Sequence, residues 1–210
     1  KGASRRGLLT YRNAGGIIEV DISPILLPDE QELPVSKVDE LLDRYEQNVN
    51  RPWKKRLDGA QKVWFVVYPP KYERELRVRI EEFRMATTQA GHEWTESDLT
   101  QAFPEWMADH EYREGYFEDP SGFDFVKQDF LEDLARDIRA DLRAEDEETV
   151  VALTGIGTLF GFVSISDLIE EVHADICGRL VVFFPGRHEA NTYRFLDARD
   201  GWDYLALPIK

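Results

Sequence analysis

The chain of 210 residues has little of what marks extracellular, membrane-bound or metal-binding proteins. It contains one cysteine, Cys177, so no intramolecular disulfide can form. We expect a reducing cytoplasmic environment, in which Cys177 is a small buried hydrophobic residue near the end of a helix. No apolar run approaches the roughly 18 residues of a membrane-spanning helix, and no apolar stretch typical of a signal peptide follows the basic N-terminal residues. A soluble, cytoplasmic protein is therefore expected.

Motifs of common catalytic and metal sites are also missing from the sequence. Its four histidines include no H-E-x-x-H pair, and no G-x-S-x-G motif occurs. His188, at the end of a predicted strand, is the histidine placed where α/β enzymes keep catalytic residues. We predict no catalytic residue, no metal site and no other cofactor.

Acidic residues outnumber basic ones by 41 to 26, which gives a formal net charge of -15. Such a surface is repelled by phosphate backbones, so direct DNA binding is not expected. On one predicted helix, Asp129, Asp133, Asp137 and Asp141 recur every four residues and share a face. We interpret them as a solvated acidic docking surface rather than a metal site, since no histidine or second acidic strand end accompanies them.

Apolar runs alternate with amphipathic segments through most of the chain. The runs VWFVVY at 63–68 and TVVAL at 149–153 are typical of strands buried on both faces. Further strands are expected near 92–99 and twice within 178–209. Helical spacing of apolar residues occurs at 36–51, 73–90, 123–142 and 164–176. This order predicts a single three-layer α/β domain, with a mainly parallel sheet of about five strands and helices on both faces.

Residues 1–34 differ from this pattern. Apolar residues alternate on both sides of Asn13-Ala14-Gly15-Gly16, which predicts a two-stranded β-hairpin. An acidic linker bounded by Pro28 and Pro34 follows. We predict a hairpin extension with its linker over residues 1–34 and the α/β domain over residues 35–210.

A glycine-containing loop follows the predicted strand TVVAL and includes Gly155, Gly157 and Gly161. Phosphate-binding loops have the pattern G-x-G-x-x-G or end in Gly-Lys-Ser/Thr. Here Phe160 occupies the position of the third glycine, and no lysine lies between residues 154 and 163. The alternative hypothesis is a degenerate nucleotide-binding or hydrolytic domain that uses this loop with His188 or Asp197.

The segment between the last two predicted strands is unusually rich in aromatic and arginine residues, which favour recognition. The alternative is that Tyr193 and Trp202 cap the core, while Arg199 pairs with Asp197 or Asp203. The candidate partner-binding residues are Asn191, Tyr193, Arg194, Asp197, Arg199 and Trp202.

Five segments resemble the BrxB family of bacterial BREX phage-defence systems: 39–46 (DELLDRYE), 63–68 (VWFVVY), 108–113 (ADHEYR), 183–186 (FFPG) and 193–202 (YRFLDARDGW). The resemblance covers residues 35–209, and Asp203 stands where an asparagine is expected. It implies a small core component without a recognised catalytic motif. It also implies that the chain functions together with a PglZ-like phosphatase-superfamily protein, a BrxC-like ATPase and a PglX-like DNA methyltransferase. We therefore expect a non-catalytic adaptor that binds the PglZ-like protein.

Overall fold

The computed structural model of the chain describes residues 8–13, 16–21, 36–54, 56–189, 192–195, 202–203 and 206–210. Contacts divide the chain into two compact units, Lys1–Val35 and Ser36–Lys210. Within the described residues, no helix has both the length and the apolar character needed to cross a membrane.

The first unit contains the predicted hairpin. Strands Leu8–Asn13 (β1) and Gly16–Asp21 (β2) pair in antiparallel fashion, with Asn13 opposite Gly16. This register leaves two residues between the strands, the commonest length for a hairpin connection.

The second unit is built on a parallel sheet. Its strands are Val63–Tyr68 (β3), Glu93–Asp98 (β4), Thr149–Thr154 (β5), Arg179–Glu189 (β6), Thr192–Phe195 (β7), Trp202–Asp203 (β8) and Leu207–Ile209 (β9). Strands β7 and β8 are antiparallel and lie outside the parallel part of the sheet. The parallel strands lie in the order β4-β5-β6-β3-β9. This arrangement confirms the predicted parallel sheet of about five strands.

Helices cover both faces of this sheet. They are Lys37–Val49 (α1), Glu73–Val78 (α2), Ile80–Gln89 (α3), Ala102–Asp109 (α4), Arg113–Glu118 (α5), Lys127–Ala144 (α6) and Ile165–Val172 (α7). Buried residues of α1, α2 and α3 pack on one face, whereas those of α4, α6 and α7 pack on the other. The three-layer α/β architecture is therefore confirmed.

Strands β3 and β5 show why their sequences are continuously apolar. Every residue of both strands is buried, because successive side chains point to opposite faces and each face is covered by helices. In β3, Phe65 and Val67 pack with α6 and α7, whereas Trp64 and Val66 pack with α1 and α3.

The predicted single helix over 73–90 is wrong, because α2 and α3 meet at a break at Arg79 (φ -106°, ψ 9°). The Arg79 guanidinium pairs with Asp39 at 2.6 Å and with Glu82 at 2.7 Å. Asp39 also belongs to the capping box that begins α1, in which Ser36 Oγ accepts from the Asp39 N–H over 3.2 Å. Contacts with α1 thus hold Arg79 at the break, and helical spacing within 73–90 gives no signal of them.

The segment from β5 to β6 requires two further corrections. Helix α7 begins after Ser164, whose hydroxyl contacts Ser166 Oγ at 2.7 Å, and ends at Val172, where a 3-10 turn, His173–Asp175, follows, so it is shorter than predicted. Cys177 is exposed rather than buried, because it lies in the short connection between this turn and β6.

Candidate docking site at the carboxyl ends of the strands

The carboxyl ends of β3, β4, β5 and β6 meet at one edge of the sheet because these strands are parallel. From β3 the chain continues to α2 and α3 on one face, whereas from β5 it continues to α7 on the other. Connections that leave in opposite directions open a crevice, and open α/β sheets bind ligands at such crevices. A functional site is therefore expected at this edge.

A closed network of polar side chains fills the crevice between β3 and β5. Arg77 donates to Glu73 Oε1 over 2.8 Å and to Thr100 Oγ1 over 2.5 Å. Tyr68 donates its hydroxyl proton to the other Glu73 oxygen over 2.5 Å. Burial raises the pKa of Asp98, but hydrogen bonds from Thr100 outweigh it, so that the pKa is lowered. Among the described residues that line the crevice, the arginine is the cation, and Glu73 already neutralises it.

The glycines of the loop after β5 are explained by packing and backbone geometry. Gly155 has φ of +70°, and a Cβ at this position would lie 2.4 Å from Thr100 Oγ1. Gly161 has φ of +83° with open space around it, whereas a Cβ on Gly157 would meet Pro185 Cγ at 3.7 Å. Left-handed φ values favour glycine in tight turns generally. The geometry of these glycines therefore gives no support to the alternative hypothesis of a nucleotide-binding loop.

Strand β6 is longer than its neighbours and continues beyond the sheet as the first strand of an antiparallel hairpin with β7. Strand β7 in turn pairs with β8, where Tyr193 lies opposite Trp202. At Gly186 the two strands approach closely, since a Cβ there would lie 2.2 Å from the Arg194 carbonyl oxygen. Glycine therefore permits the hairpin to begin at the sheet edge.

Tyr193 anchors this hairpin to the core. The residue is fully buried, and its ring centroid lies 4.4 Å from that of Phe65 and 6.0 Å from that of Phe184. Its hydroxyl donates to the Ala206 carbonyl over 3.0 Å, and burial raises the pKa of that hydroxyl. Tyr193 is thus a core residue, as the alternative interpretation held, and its side chain is not on the surface offered to a partner.

Arg187 and Arg194 lie directly opposite each other across the β6–β7 ladder, and both are exposed. Directly opposed side chains on one face of a sheet are close neighbours, so two like charges there repel each other. Within the described part of the chain, neither guanidinium forms an ion pair. The hairpin therefore presents two adjacent positive charges without an ionic partner among the described residues, on a chain whose net charge is -15.

His188 lies on the opposite face of the hairpin, with its ring centroid 4.5 Å from that of Tyr193. Its Nδ1 is 3.0 Å from Lys210 Nζ. Burial and then the positive charge of Lys210 lower the pKa of His188. Since an ammonium group can only donate, the neutral imidazole accepts this hydrogen bond. His188 therefore connects the last residue of the chain to the hairpin.

The remaining candidate partner-binding residues are described in part or not at all. Asn191, Asp197 and Arg199 lie outside the described residues, so the pairing of Arg199 with Asp197 or Asp203 stays a prediction. Trp202 belongs to β8 through its backbone, and its side chain lies outside the described part.

Of the partner-binding residues predicted from the sequence, Arg194 is the one whose side chain is described and exposed on the hairpin. Its neighbour Arg187 was not predicted, because the pairing of the two residues depends on the register of the hairpin. A two-residue connection between Glu189 and Thr192 places residue 187 opposite residue 194, whereas any other turn length would pair different residues.

Two aspartates of the α6 stripe contact neighbouring elements. Asp133 accepts a hydrogen bond from Trp106 Nε1 over 2.9 Å and pairs with Arg136 at 2.7 Å. Asp141 accepts from Ser97 Oγ over 2.6 Å. Among the residues that the structure describes, no group of three or more His, Cys, Asp or Glu side chains is arranged to hold a metal ion. Two of the four aspartates therefore help to hold α6 against α4 and β4.

Residues 116–209 match the model of a protein family described as BREX protein BrxB. The matched segment includes α6, the glycine loop and the hairpin of β6 and β7. No curated protein and no solved structure matches the chain.

Proposed function

We propose that the chain is a BREX component that acts as a non-catalytic adaptor in phage defence, a proposal supported by the match of residues 116–209 to the BrxB family model. Its proposed partner is a PglZ-like phosphatase-superfamily protein, with a BrxC-like ATPase and a PglX-like methyltransferase joining the same assembly. The proposed contact is the hairpin surface, which consists of Arg187 and Arg194 on paired strands.

The opposed arginines are the observation that carries this proposal. Their mutual repulsion destabilises the free protein, and no described residue relieves it. Carboxylates of a partner would relieve it, because the planar guanidinium forms two parallel hydrogen bonds to a carboxylate. An acidic patch on the partner therefore fits the hairpin surface.

The fixed base of the hairpin also supports a docking role. The buried Tyr193 ring and its hydrogen bond to Ala206 hold β7 against the core. Side chains that stand on an ordered strand lose less conformational freedom on binding than those of a flexible loop. The backbone that carries Arg187 and Arg194 is thus fixed before a partner arrives.

A nucleic-acid phosphate would also attract two arginines, but the charge of the whole chain opposes it. With 41 acidic and 26 basic residues, the long-range potential repels a phosphate backbone. The proposal therefore commits to a protein partner, and binding of a short DNA duplex at physiological salt would contradict it.

The test measures the affinity of the purified chain for the PglZ-like protein of the same BREX system by isothermal titration calorimetry. Arg187→Glu and Arg194→Glu are each expected to weaken binding about tenfold or more, because each places a carboxylate against an acidic patch. Arg74→Glu is the matched control, since Arg74 is exposed on α2 and has no ion pair among the described residues. We expect it to leave the affinity unchanged.

Two results would overturn separate parts of the proposal. Full affinity in the double variant Arg187→Glu/Arg194→Glu would show that the hairpin surface is not the contact. Failure of the unaltered chain to bind the PglZ-like protein at micromolar concentrations would instead contradict the choice of partner.

A further inference from the structure

An apolar groove of about 790 Å³ opens between α4, α5, the 3-10 segment Pro120–Phe125 and Gly161. This volume lies within the range of roughly 300–1,000 Å³ that is typical of ligand sites. The groove lies apart from the crevice and shares no lining residue with it. Its residues take no part in the adaptor contact proposed above.

The floor of the groove consists of three aromatic rings that support one another. Phe103 and Phe162 stack with centroids 3.9 Å apart and an interplanar angle of 15°. Phe123 meets each of them edge-on, at 5.2 Å in both cases. Such mutual packing holds the floor in shape without a ligand, so the groove is preformed and binding costs little ordering.

A large apolar side chain remains exposed at the groove. Phe117, which lines it, is 75% exposed. Exposed apolar surface of this kind marks interaction sites. Because most of this ring is open to solvent, an occupant that covers it must be larger than a molecule that only fills the cavity.

The rim of the groove has one uncompensated charge among its described residues. Lys127 is paired with Asp124 at 2.7 Å. Arg113 donates to the Ala108 carbonyl but forms no ion pair with any described carboxylate. The occupant should therefore combine a large apolar surface with a negative charge that reaches Arg113.

We propose that this groove binds an amphipathic helix of a partner protein, with an acidic residue of that helix paired to Arg113. In this mode of recognition, apolar side chains at positions i, i+3 or i+4, and i+7 enter a preformed groove. The apolar floor takes these side chains, Phe117 covers the helix flank, and the guanidinium fixes the helix direction.

The test uses fluorescein-labelled peptides of about 20 residues that overlap along the other proteins of the same BREX system. Anisotropy titrations would identify those that bind the full chain, and circular dichroism would show whether the bound peptide is helical. We expect a binding peptide with an apolar face and an adjacent Asp or Glu. Phe117→Asp should weaken its binding at least tenfold, and Arg113→Glu should weaken it about fivefold and reduce its salt dependence.

Matched controls lie on the other face of the sheet. Val78, on α2, is 80% exposed, so Val78→Asp adds the same charge at an equally open apolar position. Arg74→Glu is the control for Arg113→Glu. Both controls should leave the affinity within twofold of the unaltered chain.

Three outcomes would overturn the inference. They are the absence of any binding peptide, a bound peptide whose affinity survives Phe117→Asp, and an equal loss in Phe117→Asp and Val78→Asp. Binding of dodecanoate at micromolar concentration without any bound peptide would likewise assign the groove to a small amphiphile. Substitution at these exposed positions should leave the unfolding midpoint unchanged, which excludes misfolding as the cause of a loss.

Discussion

Alanine substitutions in the loop after β5 should reveal why its glycines are needed. A Cβ on Gly155 would lie 2.4 Å from Thr100 Oγ1 and 2.5 Å from Asp98 Oδ1, at a residue whose φ is +70°. Gly161 has a φ of +83° but no atom within 4 Å of such a Cβ, and Gly157 has an ordinary contact at 3.7 Å with no left-handed φ. The three positions thus separate steric crowding from backbone strain.

The expected losses of stability follow from these two effects. Gly161→Ala should cost about 1 kcal/mol, because left-handed strain is partly offset by the lower entropy of the unfolded chain. Gly155→Ala has the same strain and also overpacks the turn at Asp98 and Thr100, so about 2–4 kcal/mol is expected. Gly157→Ala should be neutral or slightly stabilising.

Urea unfolding of the ligand-free chain, followed by tryptophan fluorescence, measures these differences in the free energy of unfolding. Equal losses at all three positions, or the greatest loss at Gly157, would refute the packing explanation. A thermal-shift screen with ATP, GTP and divalent metals completes the test. Stabilisation of the unaltered chain by a nucleotide would revive the alternative of a phosphate-binding loop.

Two further predictions concern the hairpin. Tyr193→Phe should lower the free energy of unfolding by about 1–3 kcal/mol, because the buried Ala206 carbonyl loses its donor. Urea unfolding checks this against exposed Tyr112→Phe, and equal stability of both variants would contradict it. Lys210→Met should raise the pKa of His188 in an NMR titration, since burial and Lys210 together lower it below the ordinary 6.5. Because the pKa of His188 is lower in the folded state than in the unfolded state, the neutral imidazole stabilises the fold above pH 6.5, and this stabilisation is lost as the pH falls. The free energy of unfolding of the Lys210→Met variant should therefore fall less than that of the unaltered chain at acidic pH. An unchanged pKa would show that Lys210 has no influence.

Features determined by local chemistry were predictable from the sequence. Strands β3 and β5 require an apolar side chain at every position because both faces are covered, and their runs show this directly. The start of α1 at Ser36 follows from capping chemistry within four residues. In each case the signal and the structure lie within one short segment.

Features determined by distant contacts were not predictable in this way. The break between α2 and α3 depends on the ion pair of Arg79 with Asp39, which belongs to another helix. The pairing of Arg187 with Arg194 depends on the exact hairpin register. The aromatic groove combines Phe103, Phe123 and Phe162, whose proximity follows from tertiary packing. A single sequence supplies the residue types of such sites but not their juxtaposition.

The charge distribution limits which partners suit the proposed adaptor. At physiological ionic strength, screening leaves exposed charges little influence beyond about 8 Å, so the arginine pair acts only near contact. At longer range an approaching molecule meets the net charge of -15, which slows a strongly acidic partner even if its carboxylates fit the arginines. A neutral or basic protein with a local acidic patch avoids this conflict, because it is not repelled during approach and still pairs with Arg187 and Arg194 at contact. Added salt should therefore weaken binding of such a partner, whereas a partner that is acidic throughout would associate faster as salt rises.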